Sequence, residues 1–163
     1  MRLYHGGMEM VEQPHIIQRI HSRTTDFGPG FYTTTDYDQA KKWVEIRRAR
    51  GQTEGGFVSI FEAPDNLLQN PHLKRLVFTS ADHAWLDFVM NNRNHPGFIH
   101  DYDIVAGPVA NDRVYAALSL YEEAFLDIDE TIRRLKTYKL VNQILFSTEK
   151  SIQELVFIEG KQV

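Results

Sequence analysis

One group of residues of the types that bind metals lies around position 100. It consists of His95, His100, Asp101 and Asp103. No pair in the group has the helical spacing of a zinc motif. A solvated loop accounts for these residues equally well, so the sequence predicts no metal.

Composition and spacing argue against several other kinds of chemistry. The 163 residues include 0 Cys, which excludes a disulfide framework, a thiolate zinc site and a cysteine nucleophile. Gly28-Pro29-Gly30 is not a dinucleotide-binding fingerprint, because the third glycine would fall on Thr33 and no strand precedes the turn. Asp127 and Asp129 could form a carboxylate pair, but acidic residues are also expected at a helix N-terminus. We favour the capping interpretation for this pair.

The charge balance argues against a protein that coats nucleic acids in general. Eighteen Lys and Arg stand against 22 Asp and Glu, for a formal net charge of -4. One basic run does occur within a predicted helix, and a solvated helix face explains it best. A phosphate or nucleic-acid contact is the alternative. The run comprises Lys41, Lys42, Arg47, Arg48 and Arg50.

Three segments become informative when they are taken in order. They are Leu3-Tyr4-His5-Gly6-Gly7, Gly28-Pro29-Gly30-Phe31-Tyr32 and Val141-Asn142-Gln143-Ile144-Leu145-Phe146. With them the chain resembles the ADP-ribosyltransferase superfamily, in its diphtheria-toxin and poly(ADP-ribose) polymerase branch. Over nearly its full length it also resembles a small bacterial family of proteins of this type. Each motif alone is weak, but the ordered set is fairly specific.

The resemblance implies an NAD site and no metal. It assigns cofactor binding to His5, Gly6, Gly30, Tyr32 and Trp43, which lies eleven positions after Tyr32. The cationic nicotinamide ring would be attracted to the faces of Tyr32 and Trp43. A glycine after His5 would let the backbone approach the nicotinamide amide, and His5 would hold a ribose hydroxyl.

The catalytic residues implied by the resemblance are His5, Tyr32 and Gln143. The branch usually has glutamate at the position of Gln143, which can hold a ribose hydroxyl but cannot act as a base. This departure disfavours polymer building and favours transfer of a single ADP-ribose or plain NAD binding. Glu149, six residues further on, is the alternative source of a carboxylate.

A second polar cluster follows the Gly107-Pro108 turn. It could orient the acceptor of ADP-ribose or contact a phosphate, although capping of the next helix would also explain it. The cluster consists of Asn111, Asp112 and Arg113.

The leading hypothesis is a mono-ADP-ribosyltransferase that cleaves NAD and modifies a protein or nucleic acid. The resemblance further implies a toxin paired with an antitoxin protein, or a role in phage defence. The alternatives are a catalytically silent module that binds NAD or ADP-ribose, and a protein-interaction domain whose aromatic residues are merely core. No basic-then-apolar leader opens the chain, and no apolar run approaches the roughly 20 residues of a membrane span, so we expect a cytoplasmic protein.

Residues 1–163 are expected to form one α+β domain. Strands and helices alternate too irregularly for a doubly wound sheet, and the resemblance implies the split mixed sheet of ADP-ribosyltransferases with flanking helices. Strands are predicted at 3–5, 31–34, 57–61, 76–79, 102–106, 140–147 and 155–159. Helices are predicted at 14–20, from Thr35 or Asp36 to 50, from Ser80 to 91, and at 111–123, 129–138 and 148–154. In the late strand, alternation puts Val141, Gln143 and Leu145 on one face and Ile144 and Phe146 on the other.

Overall fold

The structure is a computed structural model that describes residues 1–16, 25–51, 54–95, 97–109, 112–138 and 140–163, without the side chains of 112 and 113. The strands are β1 (Arg2–Gly7), β2 (Phe31–Thr34), β3 (Phe57–Glu62), β4 (Arg75–Val77), β5 (Ile104–Pro108), β6 (Asn142–Phe146) and β7 (Val156–Gln162). The helices are α1 (Tyr37–Gly51), α2 (His83–Asn94), α3 (Asp112–Glu122), α4 (Ile128–Leu135) and α5 (Glu149–Ile152), with a short 3₁₀ helix at Leu67–Gln69.

The described strands form one mixed sheet in the order β4-β5-β6-β2-β1-β3-β7. Neighbouring strands run antiparallel except β4 and β5, which are parallel. Helices flank this sheet, so the predicted α+β class is confirmed. None of the described helices is long and apolar enough to cross a bilayer.

Helix starts follow the local side chains. Asp36 accepts a hydrogen bond from the backbone N–H of Gln39 at 3.0 Å, as expected for the start of α1. Asp127 caps α4 in the same way through the N–H of Glu130 at 2.7 Å, which confirms its interpretation as a helix-terminal acid. The prediction that Ser80 caps α2 was wrong. Asp82 caps it, accepting from the N–H of Trp85 at 3.0 Å.

The predicted helix at 14–20 is not confirmed. Residues 14–16 are described and are not helical. The rest of that segment lies outside the described residues.

The two faces of the sheet are covered differently. One face packs against α1 to α4, with Leu145 of β6 in a core that includes Trp85 and Leu118. Ile144 and Phe146 point to the opposite face, where they join Leu3, Phe31 and other apolar side chains. The predicted alternation is therefore confirmed for Ile144, Leu145 and Phe146.

The sheet is weakly joined at one position. Strands β1 and β3 pair over six register positions, and β2 and β6 pair over four. Strands β1 and β2 share a single register pair, Tyr4 with Thr34. We call the interval beyond this pair, between residues 5–7 of β1 and residues 31–33 of β2, the seam.

Candidate functional site

The side chain of His5 bridges the seam. Its Nδ1 lies 2.7 Å from the carbonyl oxygen of Tyr32, and its ring stacks on Phe31 with the centroids 4.4 Å apart. A carbonyl can only accept, so Nδ1 carries the proton and Nε2 of the neutral ring is an acceptor. Burial lowers the pKa of His5 and the charge of Arg47 lowers it further, against the opposing effect of the bond to Tyr32. The ring is therefore neutral at pH 7.

The backbone of Gly6 faces the seam. Ala63 donates its N–H to the carbonyl of Met1 across β1 and β3, at 3.0 Å. Backbone groups in an antiparallel ladder alternate in direction, so those of Gly6 turn away from β3 and towards β2. On the helical side, a Cβ at Gly6 would overlap the carbonyl oxygen of Ala40 in α1. The glycine is thus required by the packing of α1 as well as suited to binding a ligand through its backbone.

The phenol of Tyr32 stabilises the turn that precedes β2 through two hydrogen bonds. Its hydroxyl donates to the carbonyl of Gly28 at 2.6 Å and accepts from the N–H of Phe27 at 3.2 Å. Burial raises the pKa of Tyr32, and the nearby charge of Asp26 raises it further. The turn also requires Gly30, which has φ +151° and whose Cβ would overlap the carbonyl oxygen of Phe146. Stacking of Tyr32 on nicotinamide stays a prediction.

Gln143 lies on the same face of the sheet as Tyr32. It is 8% exposed, and its register neighbours are Thr34 on β2 and Gly107 on β5. Its Nε2 donates to Oδ2 of Asp26 at 3.3 Å. Asp26 itself is 4% exposed, so the amide meets a carboxylate away from solvent.

A run of charged groups continues from this pair. Nη1 of Arg93 lies 3.8 Å from Oδ1 of Asp26, and Nε of Arg93 lies 3.4 Å from Oε1 of Glu122. The guanidinium also lies over the ring of Tyr115, 5.0 Å from its centroid. We call Glu122, Arg93, Asp26 and Gln143 the polar chain.

Sequence reasoning missed most of the polar chain. The ordered motifs include Gln143 but neither Asp26 nor Arg93. One signal was present for the arginine, because Trp85, Leu86 and Val89 are the buried residues of α2 and Arg93 follows Val89 by one helical turn. A cation on the apolar stripe of a helix indicates a buried partner.

Helical periodicity predicts Ala40, Trp43 and Val44 on the inner side of α1, and this prediction is wrong for Trp43. Ala40 and Val44 are buried there, whereas Trp43 is 43% exposed. Among the described aromatic side chains, no ring contact joins Trp43 to Tyr32. Trp43 is therefore accessible to a ligand.

The basic run on α1 is largely solvated. Arg48 is half-buried and donates from Nη1 to the carbonyl of Val163 at 2.8 Å. Its other members are exposed, namely Lys41, Lys42, Arg47 and Arg50.

Glu149 is separated from Gln143 by the end of β6. It is exposed at the start of α5, where its Oε1 accepts from the N–H of Ile16 at 2.9 Å. Of these two late polar residues, Gln143 is therefore the one on the face of Tyr32. In the second predicted cluster, Asn111 and the side chains of Asp112 and Arg113 lie outside the described residues.

The polar residues near position 100 make contacts within the protein. Asp103 accepts from the N–H of Lys74 at 2.8 Å and from the hydroxyl of Thr148 at 2.7 Å. His100 binds the carbonyl of Phe27 through Nε2 at 2.8 Å, and Asp101 pairs with Lys74 at 2.5 Å. The described residues include no group of three or more side chains arranged to hold a metal ion.

A separate open depression of about 470 Å³ lies near the start of β1. Acidic side chains predominate among the charged residues around it, which suits a pyrophosphate poorly. It is lined by Met1, Glu62, Ala63, Pro64, Asp65, Gln153, Glu154 and Val156.

These features define a mixed α+β protein with a weakly paired seam and a polar chain whose Asp26 and Gln143 are buried. A family model described as a protein of unknown function (DUF3990) matches residues 1–157. The chain belongs to this family. A comparison with curated proteins gives no match.

Proposed function

We propose that this protein is a mono-ADP-ribosyltransferase that cleaves NAD and transfers ADP-ribose to a protein or nucleic acid. One observation carries the proposal. The three segments that resemble ADP-ribosyltransferases are far apart in sequence but lie on the neighbouring strands β1, β2 and β6. An interpretation of these segments as unrelated core strands gives no reason for that adjacency.

The seam supplies suitable groups for the nicotinamide end of NAD. The N–H and carbonyl of Gly6 face it and are able to bind a carboxamide at both of its ends. Nε2 of His5 is an acceptor for a ribose hydroxyl. Trp43 offers an accessible aromatic face for the cationic ring.

The transfer step requires no redox partner. The bond between ribose C1′ and the pyridinium nitrogen breaks, and its electron pair leaves with neutral nicotinamide. A nucleophilic atom of the acceptor then bonds to C1′ and gives up its proton to water or to a base of the acceptor. The oxocarbenium-like state between these events is stabilised by polar groups held near the ribose, a role we assign to Gln143.

The proposal includes a more specific assignment of the fold. We assign it to the split mixed sheet of ADP-ribosyltransferases, with the seam as the split. A cytoplasmic location belongs to the proposal as well. Pairing with an antitoxin protein, or a role in phage defence, extends it further, and these two roles rest on the resemblance alone.

A catalytically silent module for NAD or ADP-ribose is the second candidate. It is favoured by the neutral amide at Gln143 and by the use of the Tyr32 hydroxyl within its own turn. The two candidates differ in one product. A module binds NAD without releasing nicotinamide.

The experiment combines binding, cleavage and transfer. The purified chain is titrated with NAD by calorimetry, released nicotinamide is measured by chromatography, and NAD labelled at the adenylate phosphate is incubated with cell lysate. We expect binding, nicotinamide release and a labelled macromolecule whose label is removed by either protease or nuclease. Gln143→Ala should raise the activation free energy of nicotinamide release by about 2–4 kcal/mol. Substitution of the exposed Gln69 by Ala should leave it unchanged. Binding without release supports the module, and absence of both contradicts the NAD assignment.

A further inference from the structure

We propose that Asp26 is a positioning residue for Gln143, holding its amide so that Oε1 and not Nε2 is presented to the substrate. This inference rests on the proposed function. Asp26 is a buried carboxylate that lies outside the three resembling segments, and the inference gives it a role.

The chemistry of the pair determines the orientation of the amide. A glutamine amide has a donor end and an acceptor end, and either could face a ligand. The carboxylate of Asp26 can only accept, so Nε2 of Gln143 faces it at 3.3 Å. Oε1 then points away from Asp26. Gln143 is thereby able to accept a bond from a ribose hydroxyl, as a carboxylate at that position would.

The charge of Asp26 also acts through the amide. An N–H that donates to a carboxylate is polarised, and the carbonyl of the same amide becomes a better acceptor. Gln143 is 8% exposed and Asp26 is 4% exposed, so water screens this effect little. Because Arg93 offsets part of the Asp26 charge, the effect on the ribose is carried by the polarised Oε1 of Gln143, a stronger acceptor although residue 143 is itself neutral.

Asp26 is fixed from two sides. The residues after it are held by Tyr32, whose hydroxyl binds the N–H of Phe27 and the carbonyl of Gly28. On the other side Arg93 approaches Oδ1 at 3.8 Å and is itself held by Glu122. The turn fixes the backbone at Asp26, and a rotation of its carboxylate would disturb the contacts with Gln143 and Arg93.

The test is a reciprocal exchange of the two side chains. Asp26→Asn keeps the shape but can face Gln143 with either end of an amide, so we expect nicotinamide release to fall about 10- to 100-fold while NAD affinity changes less than about 3-fold. Gln143→Glu sets two carboxylates against each other, and release should fall as well. In the double variant D26N/Q143E, the amide of residue 26 donates to the carboxylate at 143. Release should recover to at least about 10-fold above either single variant.

Matched controls and a second measurement complete the test. Asp87→Asn and Gln69→Glu, both at exposed positions, should leave release unchanged singly and together. If Asp26→Asn does not fold, the wild type is examined by NMR. The side-chain NH₂ of Gln143 should then stay protected from hydrogen exchange with and without NAD.

The outcomes separate the inference from the proposed function. If Asp26→Asn releases nicotinamide within about 2-fold of the wild type, if the double variant shows no recovery, or if NAD abolishes the protection of the amide, the inference is wrong. In each of those cases the wild type still releases nicotinamide, so the proposed function stands. A wild type that neither binds NAD nor releases nicotinamide overturns the proposed function and this inference with it.

Discussion

The two halves of the sheet differ from the interval between them. Six register pairs join β1 to β3 and four join β2 to β6, but only Tyr4 and Thr34 join β1 to β2. Beyond that pair, the side chain of His5 takes the place of a backbone partner for Tyr32. Backbone groups that a continuous sheet would use internally are therefore directed into the seam.

The two faces beside the seam also differ. On one face His5 is uncharged and stacks on Phe31. On the other face Gln143 contacts Asp26, and the partly buried Arg93 follows. A ligand in the seam would meet a neutral acceptor on one side and the potential of a buried carboxylate on the other. This division of roles suits a ligand that carries both ribose hydroxyls and a cationic ring.

The largest effect is expected where α1 closes over β1. Gly6→Ala adds a Cβ that would overlap the carbonyl oxygen of Ala40, so helix and strand must separate. We expect the free energy of unfolding to fall by about 3 kcal/mol, measured by urea denaturation. Gly97→Ala is the control, because a Cβ there would meet nothing within 4 Å. Equal stability of the two variants would contradict the close contact between α1 and β1.

A smaller effect is expected at the exposed ring of Trp43 on α1. Trp43→Ala should weaken NAD binding by about 1–2 kcal/mol, or roughly 5- to 30-fold in Kd, through lost stacking and cation–π attraction. Since Trp43 is 43% exposed, stability should change little. Calorimetry of this variant beside Lys42→Ala measures the difference. A similar loss in both variants would indicate general electrostatic attraction instead of stacking.

The smallest effect concerns the pH dependence of stability. The folded-state pKa of His5 lies below the ordinary value of about 6.5, so protons favour the unfolded chain. Its contribution is present above pH about 6.5 and is lost as the pH falls through that value towards the folded-state pKa. His100, whose pKa burial also lowers, acts in the same direction. His5→Gln should lose less unfolding free energy than the wild type between pH 7.5 and 5.5.

The control for the pH experiment is the exposed His15→Gln, which should behave as the wild type. Urea denaturation at both pH values gives the comparison. An unchanged pH dependence in His5→Gln would show that the His5 ring is not held in its neutral form.

Much of the fold was predictable because local signals agree with the tertiary structure. The strand at Phe31–Thr34 was predicted at its observed bounds. Its aromatic and β-branched residues follow a glycine turn, and both signals are local. The start of α2 was misjudged because Ser80 and Asp82 are both good caps. Only the packing of Trp85 selects between them.

The site was predictable only in part. His5, Tyr32 and Gln143 were named from motifs, and they lie on three neighbouring strands. The partners of Gln143 were not predictable, because contacts with Asp26 and through it with Arg93 join residues far apart in sequence. Trp43 was misjudged because helical periodicity leaves an error of about one residue in the edge of a buried stripe.

The central claim is that NAD binds in the seam, and an NMR titration of the labelled protein tests it most directly. Backbone amides of Gly6, Gly7 and Tyr32 and the side-chain amide of Gln143 should shift progressively as NAD is added. Amides of β4, at one edge of the sheet, should not shift. Shifts confined to the depression lined by Glu62 and Val156, or no shifts at millimolar NAD, would contradict the account.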